Sequence, residues 1–360
     1  MTTRSTFEPN APTPGAAASW RERLWPRGGS GSGENLRLLA LIILAYIVIV
    51  TFQSPDFLSL ASLFDLIRTG SALTIVALGV LVVMVTGGID VSFLANAILS
   101  AWIATALSNA LGIDSLAFAL TVAIGIGTFV GLVNGLIIYL FSLPTLITTL
   151  AMQGVLQGVL MVFLGARPIT AGFMPSSLRD FGTSVLFEIP AGPGFTGLSV
   201  FAIPLVIVIA LTWYLLNRTP IGRASYALGS NPLGAVRSGV EVLKINLVVY
   251  GYAGALAGLT GLMMVSEIRL VNPVSLVGNE LIVLAAVVIG GAKLTGGTGS
   301  VGGVVLGMAL ITLLSNTLVT LGLSASWNRF FIGAAMVAIA AISHYRAKQR
   351  NLKLLNFQDV

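Results

Sequence analysis

Apolar stretches of about 20 residues recur along almost the whole chain, and this recurrence limits the fold more than any motif does. The hydrocarbon core of a bilayer is about 30 Å thick, and a helix rising about 1.5 Å per residue crosses it in about 20 residues. Candidate spans lie near 36–52, 70–86, 89–108, 116–140, 145–165, 198–217, 245–265, 280–292, 301–322 and 327–343. The eighth is too short to cross and fits a half-helix or re-entrant segment. Only 9% of residues are charged and 56% are hydrophobic, whereas a soluble fold carries roughly 25% charged residues to cover its surface. The expected fold is therefore all-α: a polytopic transmembrane helical bundle of about ten spans.

Basic residues orient it. Arg4, Arg21, Arg23, Arg27 and Arg37 precede or open the first span, and His344, Arg346, Lys348 and Arg350 follow the last. Cytoplasmic segments collect Lys and Arg, so both termini are expected in the cytoplasm, which requires an even number of spans. The net charge of +6 sits in tails and loops beside apolar spans, which speaks for membrane orientation and against a nucleic-acid surface. Residues 1–35, with Pro9, Pro12, Pro14 and a Gly/Ser run from Gly28 to Gly33, read as a disordered cytoplasmic arm rather than a signal peptide. Residues 36–345 form the membrane domain and 346–360 a cytoplasmic tail. Loop 218–244 falls on the cytoplasmic side and loop 166–197 outside.

Chemistry of its own is hard to place on this chain. It has no cysteine and one histidine, and no G-x-x-x-x-G-K-[ST] phosphate loop. Gly297, Gly299 and Gly302 spell G-x-G-x-x-G, but the flanks are apolar spans rather than a βαβ unit, so the glycines read as a tight meeting of two helices. No catalytic residue, metal site or cofactor is expected. Any use of ATP must come from a partner.

The remaining polar residues are the candidates for function. Asp90, at the break between the second and third spans, reads as the N-cap of the third helix or as a functional intramembrane charge, and one residue can serve both. Asn96, Asn134, Gln153, Gln157 and Asn316 either line a path for hydroxylated solutes or hydrogen-bond between helices. Asp65 and Arg68 read as an ion pair at the membrane interface. Glycines four apart (Gly127, Gly131 and Gly135; Gly154 and Gly158; Gly254 and Gly258; Gly303 and Gly307) predict close helix contacts. In loop 218–244, Asn231 as N-cap, Pro232 at the first helical position and Gly239 as a stop delimit a helix of about two turns, suited to a groove on a soluble partner.

Three stretches resemble the permeases of ABC importers, in the ribose/xylose-type sugar branch of the branched-chain amino acid and sugar superfamily. Thr86-Gly87-Gly88-Ile89-Asp90-Val91-Ser92 resembles a G-G-I-D-[LV]-S signature. Gly222-Arg223 through Gly229, Asn231, Pro232, Leu233, Gly234 and Ala235 to Gly239 resembles a cytoplasmic coupling loop. Val288–Gly291 with Gly296–Gly303 resembles a glycine-rich C-terminal motif. The resemblance implies a multi-pass subunit of the bacterial inner membrane with a second permease copy or paralogue, a cytoplasmic ABC ATPase dimer and a periplasmic solute-binding protein as partners. Only the first stretch speaks for sugar, and Phe93-Leu94 stands where that branch has Val-Gly. A permease for a branched-chain amino acid or other small solute stays open as an alternative, as does a secondary transporter. An intramembrane enzyme is disfavoured by the missing His, Cys and paired carboxylates.

Overall fold

A computed structural model of the chain describes residues 32–164, 168–191, 194–272 and 278–320, with scattered positions between 327 and 341. The helices are α1 (Ser32–Gln53), α2 (Leu60–Val85), α3 (Phe93–Leu111), α4 (Leu116–Phe141), α5 (Thr145–Leu164), α6 (Ser176–Thr183), α7 (Ala202–Arg218), α8 (Pro220–Ser230), α9 (Pro232–Arg237), α10 (Val242–Ile268), α11 (Glu280–Ile289) and α12 (Val301–Thr320). Among the described residues seven are long and apolar enough to cross a membrane, or eight if α7 and α8, which meet at a 69° bend, form one span.

Several expected boundaries move. The second span starts at Leu60 rather than 70, because Ser59 caps the helix there, accepting the Ser62 N–H at 3.2 Å. The added turns carry Asp65 and Arg68. Arg68 pairs not with Asp65 but with Glu267 at the far end of α10, at 3.6 Å, which lets charged residues continue an otherwise apolar helix. The third helix begins at Phe93 rather than 89, since Gly87, with φ of 87°, breaks the backbone after Val85. Helix α1 begins at Ser32, inside the expected arm, because each added residue of a nucleated helix gains a hydrogen bond at little cost. Segment 280–292 shrinks to the ten residues of α11. Residues 1–31, the tail 346–360 and most of the tenth expected span lie outside the described residues.

The fold is not purely helical. Loop 166–197 holds β1 (Ile169–Thr170), which pairs with β4 (Leu270–Val271) after α10, and a hairpin of β2 (Val185–Ala191) and β3 (Gly194–Ser199). Outside the hydrocarbon, strands are as good as helices at satisfying backbone groups, and residues such as Val185 and Phe187 favour them. Asp114, in the turn between α3 and α4, ties α6 to this region. It accepts the N–H groups of Ser176 and Ser177 at 3.1 and 2.8 Å and the Ser176 hydroxyl, and these bonds hold its carboxyl well below the usual carboxylate range.

The bundle is centred on α10, which crosses α4 backbone to backbone. A Cβ at Gly127 would strike the Gly254 carbonyl, one at Gly131 the Tyr250 carbonyl, and one at Gly258 the Ala123 carbonyl. Lipid tails are as apolar as leucine, so helices in a bilayer gain little from hydrophobic burial, and close van der Waals approach takes over. The glycines of α12 do the same against α11, where Gly303 meets Gly290 and Gly307 meets Ala286. Gly154 and Gly158 differ. Among the described residues a Cβ at either would find nothing within 4 Å, so these two positions make no close helix contact there.

The contrast is testable. Gly131→Ala forces α4 and α10 apart and is expected to cost roughly 1–3 kcal/mol, as overpacking does. Gly154→Ala is expected to be neutral or to stabilise by about 0.5–1 kcal/mol through helix propensity. Thermal unfolding of the two variants in the same detergent measures the difference; equal stabilities would contradict this packing.

Candidate functional site: a glycine junction beside a broken helix pair

The link between α2 and α3 is irregular, yet its polar groups are paired. The Ile89 N–H donates to Thr145 Oγ1 at 3.0 Å and the Val91 N–H to Thr149 Oγ1 at 3.3 Å, while the Thr149 hydroxyl donates to the Ile89 carbonyl at 3.1 Å. Two threonines one turn apart at the start of α5 thus take the place of intrahelical partners. Irregular backbone at membrane depth persists where protein satisfies it in this way. Asp90 is 6% exposed, and its Oδ1 accepts the Ser92 N–H at 2.8 Å and the Ser92 hydroxyl at 2.7 Å. Asn134 of α4 donates in turn to Ser92 Oγ at 2.9 Å. Asp90 is therefore not itself the cap residue of α3. Ser92 flanks the helix, and Asp90 closes a turn before it, because the glycine break delays the helix by three residues beyond Asp90.

Gly87, Gly229 and Gly296–Gly297, which belong to three separate stretches of the sequence, meet at one point. The Gly297 N–H donates to the Val85 carbonyl at 2.9 Å, at the end of α2. A Cβ at Gly229 would strike that same carbonyl and would lie 2.5 Å from Gly297 N, and one at Gly296 would lie 2.6 Å from Gly87 Cα. Gly296 and Gly297 have φ of 86° and 71°, in the left-handed region that favours glycine. Tyr226 of α8 fastens the junction by donating to the Gly299 carbonyl at 2.8 Å. Thus α8, the end of α2 and the α11–α12 loop touch largely through backbone atoms, with the Ser230 and Tyr226 side chains of α8 against Gly297 and Gly299.

Helix α9 projects from this junction. Asn231 caps it, with Oδ1 accepting the Gly234 N–H at 3.0 Å, and Pro232 takes the first turn. Gly239, with φ of 84°, ends it, and the Val240 N–H returns to the Ala235 carbonyl at 3.1 Å. Leu233 is 73% exposed and Val236 52%, an uncovered apolar pair beside the exposed Arg223 and Arg237. Ala235 is buried and faces the protein's own body. Gly222 is also buried, pressed against the Leu215 and Leu216 carbonyls where α7 turns into α8.

The remaining candidates divide. Asn96 donates to the Gly127 carbonyl at 3.1 Å, Asn134 binds Ser92, and Asn316 donates to Thr69 at 3.0 Å, so all three join helices. Asn96 and Asn134 are buried. Gln153 and Gln157 lie on α5, and Gln153 donates to Glu280 Oε1 at 2.9 Å. Sequence reasoning missed Glu280, Thr145, Thr149 and Tyr250. The i, i+4 threonine pair and a carboxylate opening an apolar segment were the available signals.

The chain belongs to the family described as branched-chain amino acid transport system / permease component, whose model matches residues 62–340. It is thus a multi-pass transport subunit. It is 35% identical over 311 residues to the ribose import permease protein RbsC of Haemophilus influenzae, covering 86% of this chain and 92% of that one. RbsC of Bacillus subtilis is 33% identical over 304 residues, with 84% and 90% covered. The autoinducer 2 import system permease protein LsrC of Escherichia coli is 30% identical over 322 residues, with 89% and 90% covered. No solved structure matches the chain.

Two variants separate the roles of this site. Asp90→Ala leaves the buried Ser92 N–H unpaired and is expected to cost about 1–3 kcal/mol and most transport, whereas Asp90→Asn keeps an accepting oxygen and retains partial transport. Solute uptake normalised to membrane protein level decides, and total loss in Asp90→Asn would assign the carboxylate an ionic role. Gly229→Ala is expected to abolish uptake while leaving membrane insertion intact, since its Cβ wedges the junction open.

Proposed function

We propose that this chain is the permease subunit of an ATP-driven importer for a sugar, in which α9 receives the motion of a cytoplasmic ATPase. The single observation behind this reading is the continuity from α9 to the membrane core. The exposed Leu233–Val236 face stands on α8, and α8 bears through Gly229 directly on the end of α2 and the break at Asp90. Backbone contacts lack side chains that could rearrange to absorb a displacement. A shift of α9 would therefore be passed to the α2–α3 break rather than lost in repacking.

In this reading both termini and α9 face the cytoplasm, the spans number about ten, and the membrane is the bacterial inner membrane. The partners are an ABC ATPase dimer, a second permease copy or paralogue beside the exposed α5, and a periplasmic binding protein that delivers the solute. Sugar is favoured because the relatives compared include permeases named for ribose. The family description keeps a branched-chain amino acid as the second reading.

Leu233→Asp with Val236→Asp is expected to strip the co-purifying ATPase from the permease and to abolish uptake, while detergent-solubilised permease keeps its melting temperature. The measurement is affinity purification in mild detergent followed by ATPase assay. Normal ATPase recovery in the double variant would remove α9 as the docking element. A wild-type permease that recovers no ATPase and takes up solute with protons would overturn primary transport.

A further inference from the structure

Helix α11 holds a carboxylate that neither the coupling junction nor the break at Asp90 uses. Glu280 is 6% exposed. Its Oε1 accepts from Gln153 Nε2 at 2.9 Å and its Oε2 from the Gly278 N–H at 2.7 Å. Among the described residues it has no cationic partner.

Two independent lengths give its depth. Helix α11 ends at Ile289, next to the loop that enters the glycine junction, so nine rises place Glu280 about 13 Å from that face. Helix α5 starts at the same face, where Thr145 accepts the Ile89 N–H, and eight rises place Gln153 about 12 Å away. The two estimates agree, and both amount to nearly half of a hydrocarbon core about 30 Å thick. The Gln153–Glu280 bond thus lies about 12–13 Å along both helices from the glycine junction.

The pair borders uncovered surface. Leu281 is 69% exposed, and a Cβ at Gly154 would meet nothing within 4 Å. Ionisable groups at this depth face a protein interior or a water-filled cavity rather than lipid. Each partner also has hydrogen-bonding capacity left. Each carboxyl oxygen of Glu280 has a second lone pair beyond the bond it accepts, and the glutamine amide has a second N–H and a carbonyl oxygen. Acceptors beside a donor match the hydroxyls of a polyol, each of which donates one hydrogen bond and accepts others.

We infer that Gln153 and Glu280 form a contact point at mid-membrane for the hydroxyl groups of a neutral polyhydroxylated solute. The solute exchanges its hydroxyls for the Gln153–Glu280 hydrogen bond as it passes, so the site is polar without holding the solute tightly. The inference rests on the reading of the chain as a sugar permease and names the residues that contact the cargo.

The complete importer in proteoliposomes tests it, with labelled ribose, xylose, galactose and leucine as probes and ATP hydrolysis followed in parallel. Glu280→Ala and Gln153→Ala are expected to lower sugar uptake per ATP by about tenfold, the net worth of one hydrogen bond to the solute. Stimulation of the ATPase by the loaded binding protein is expected to persist. Glu280→Gln still accepts the Gly278 N–H and serves as the folded comparison should the alanine variant fail to assemble; it too is expected to lose uptake per ATP. Uptake per ATP at the wild-type level in Glu280→Gln, or loss of ATPase stimulation together with uptake in that variant, would overturn the inference and leave the pair a structural latch. A wild-type importer that moves leucine and none of the sugars would instead overturn the reading as a sugar permease, and the inference with it.

Discussion

Direct contact between glycine backbones is the constraint on which this structure depends. In water, helices are driven together by expelling solvent from apolar faces; in a bilayer that drive largely disappears. What remains is dispersion, which falls off steeply with distance, and hydrogen bonding. Glycines let α10 lie against α4 at Gly127, Gly131 and Gly258, and against α3 where Gly261 meets the Ala97 carbonyl. Larger residues at these positions would separate the axes and forfeit the contact that holds the bundle's centre.

The same means serves two ends. In the interior it makes α10 a rigid axis. At the face where α9 projects it brings three chain segments into contact largely through backbone atoms. Close packing of this kind makes elements move together, and a transporter driven by an external motor requires that property. Polar pairing supplies the complement. The break between α2 and α3 is held open by Thr145, Thr149, Asp90 and Ser92, none of which is part of a regular helix ladder at the point of contact. The Tyr250 hydroxyl is buried over Gly88, beside the same break.

Local features were legible in the sequence. Helix α9 could be read in full, because its cap, its proline and its terminating glycine act within nine residues of one another. The apolar spans were legible for the same reason, although their ends were not. Helix α2 runs ten residues further than hydropathy suggests, since Arg68 finds Glu267 across the bundle. Glycine spacing announced close helix contacts without naming the partners, and it gave the same signal for Gly154 and Gly158, which make no close helix contact among the described residues. Among the path candidates, residue type could not separate Asn96, committed to the Gly127 carbonyl, from Gln153, which reaches a carboxylate 127 residues away.

By itself, then, the sequence determined the solvent, the class of fold, the lack of a phosphate loop and the capped helix at Pro232–Arg237. These follow from composition and from interactions between near neighbours in the chain. Tertiary structure alone decided that Gly87, Gly229 and Gly297 share one junction, that Ala235 faces inward while Leu233 faces out, and that Glu280 accepts a hydrogen bond from Gln153. Each of these depends on which backbones come within a few ångströms, and that is fixed by the packing of the whole bundle rather than by any segment of it.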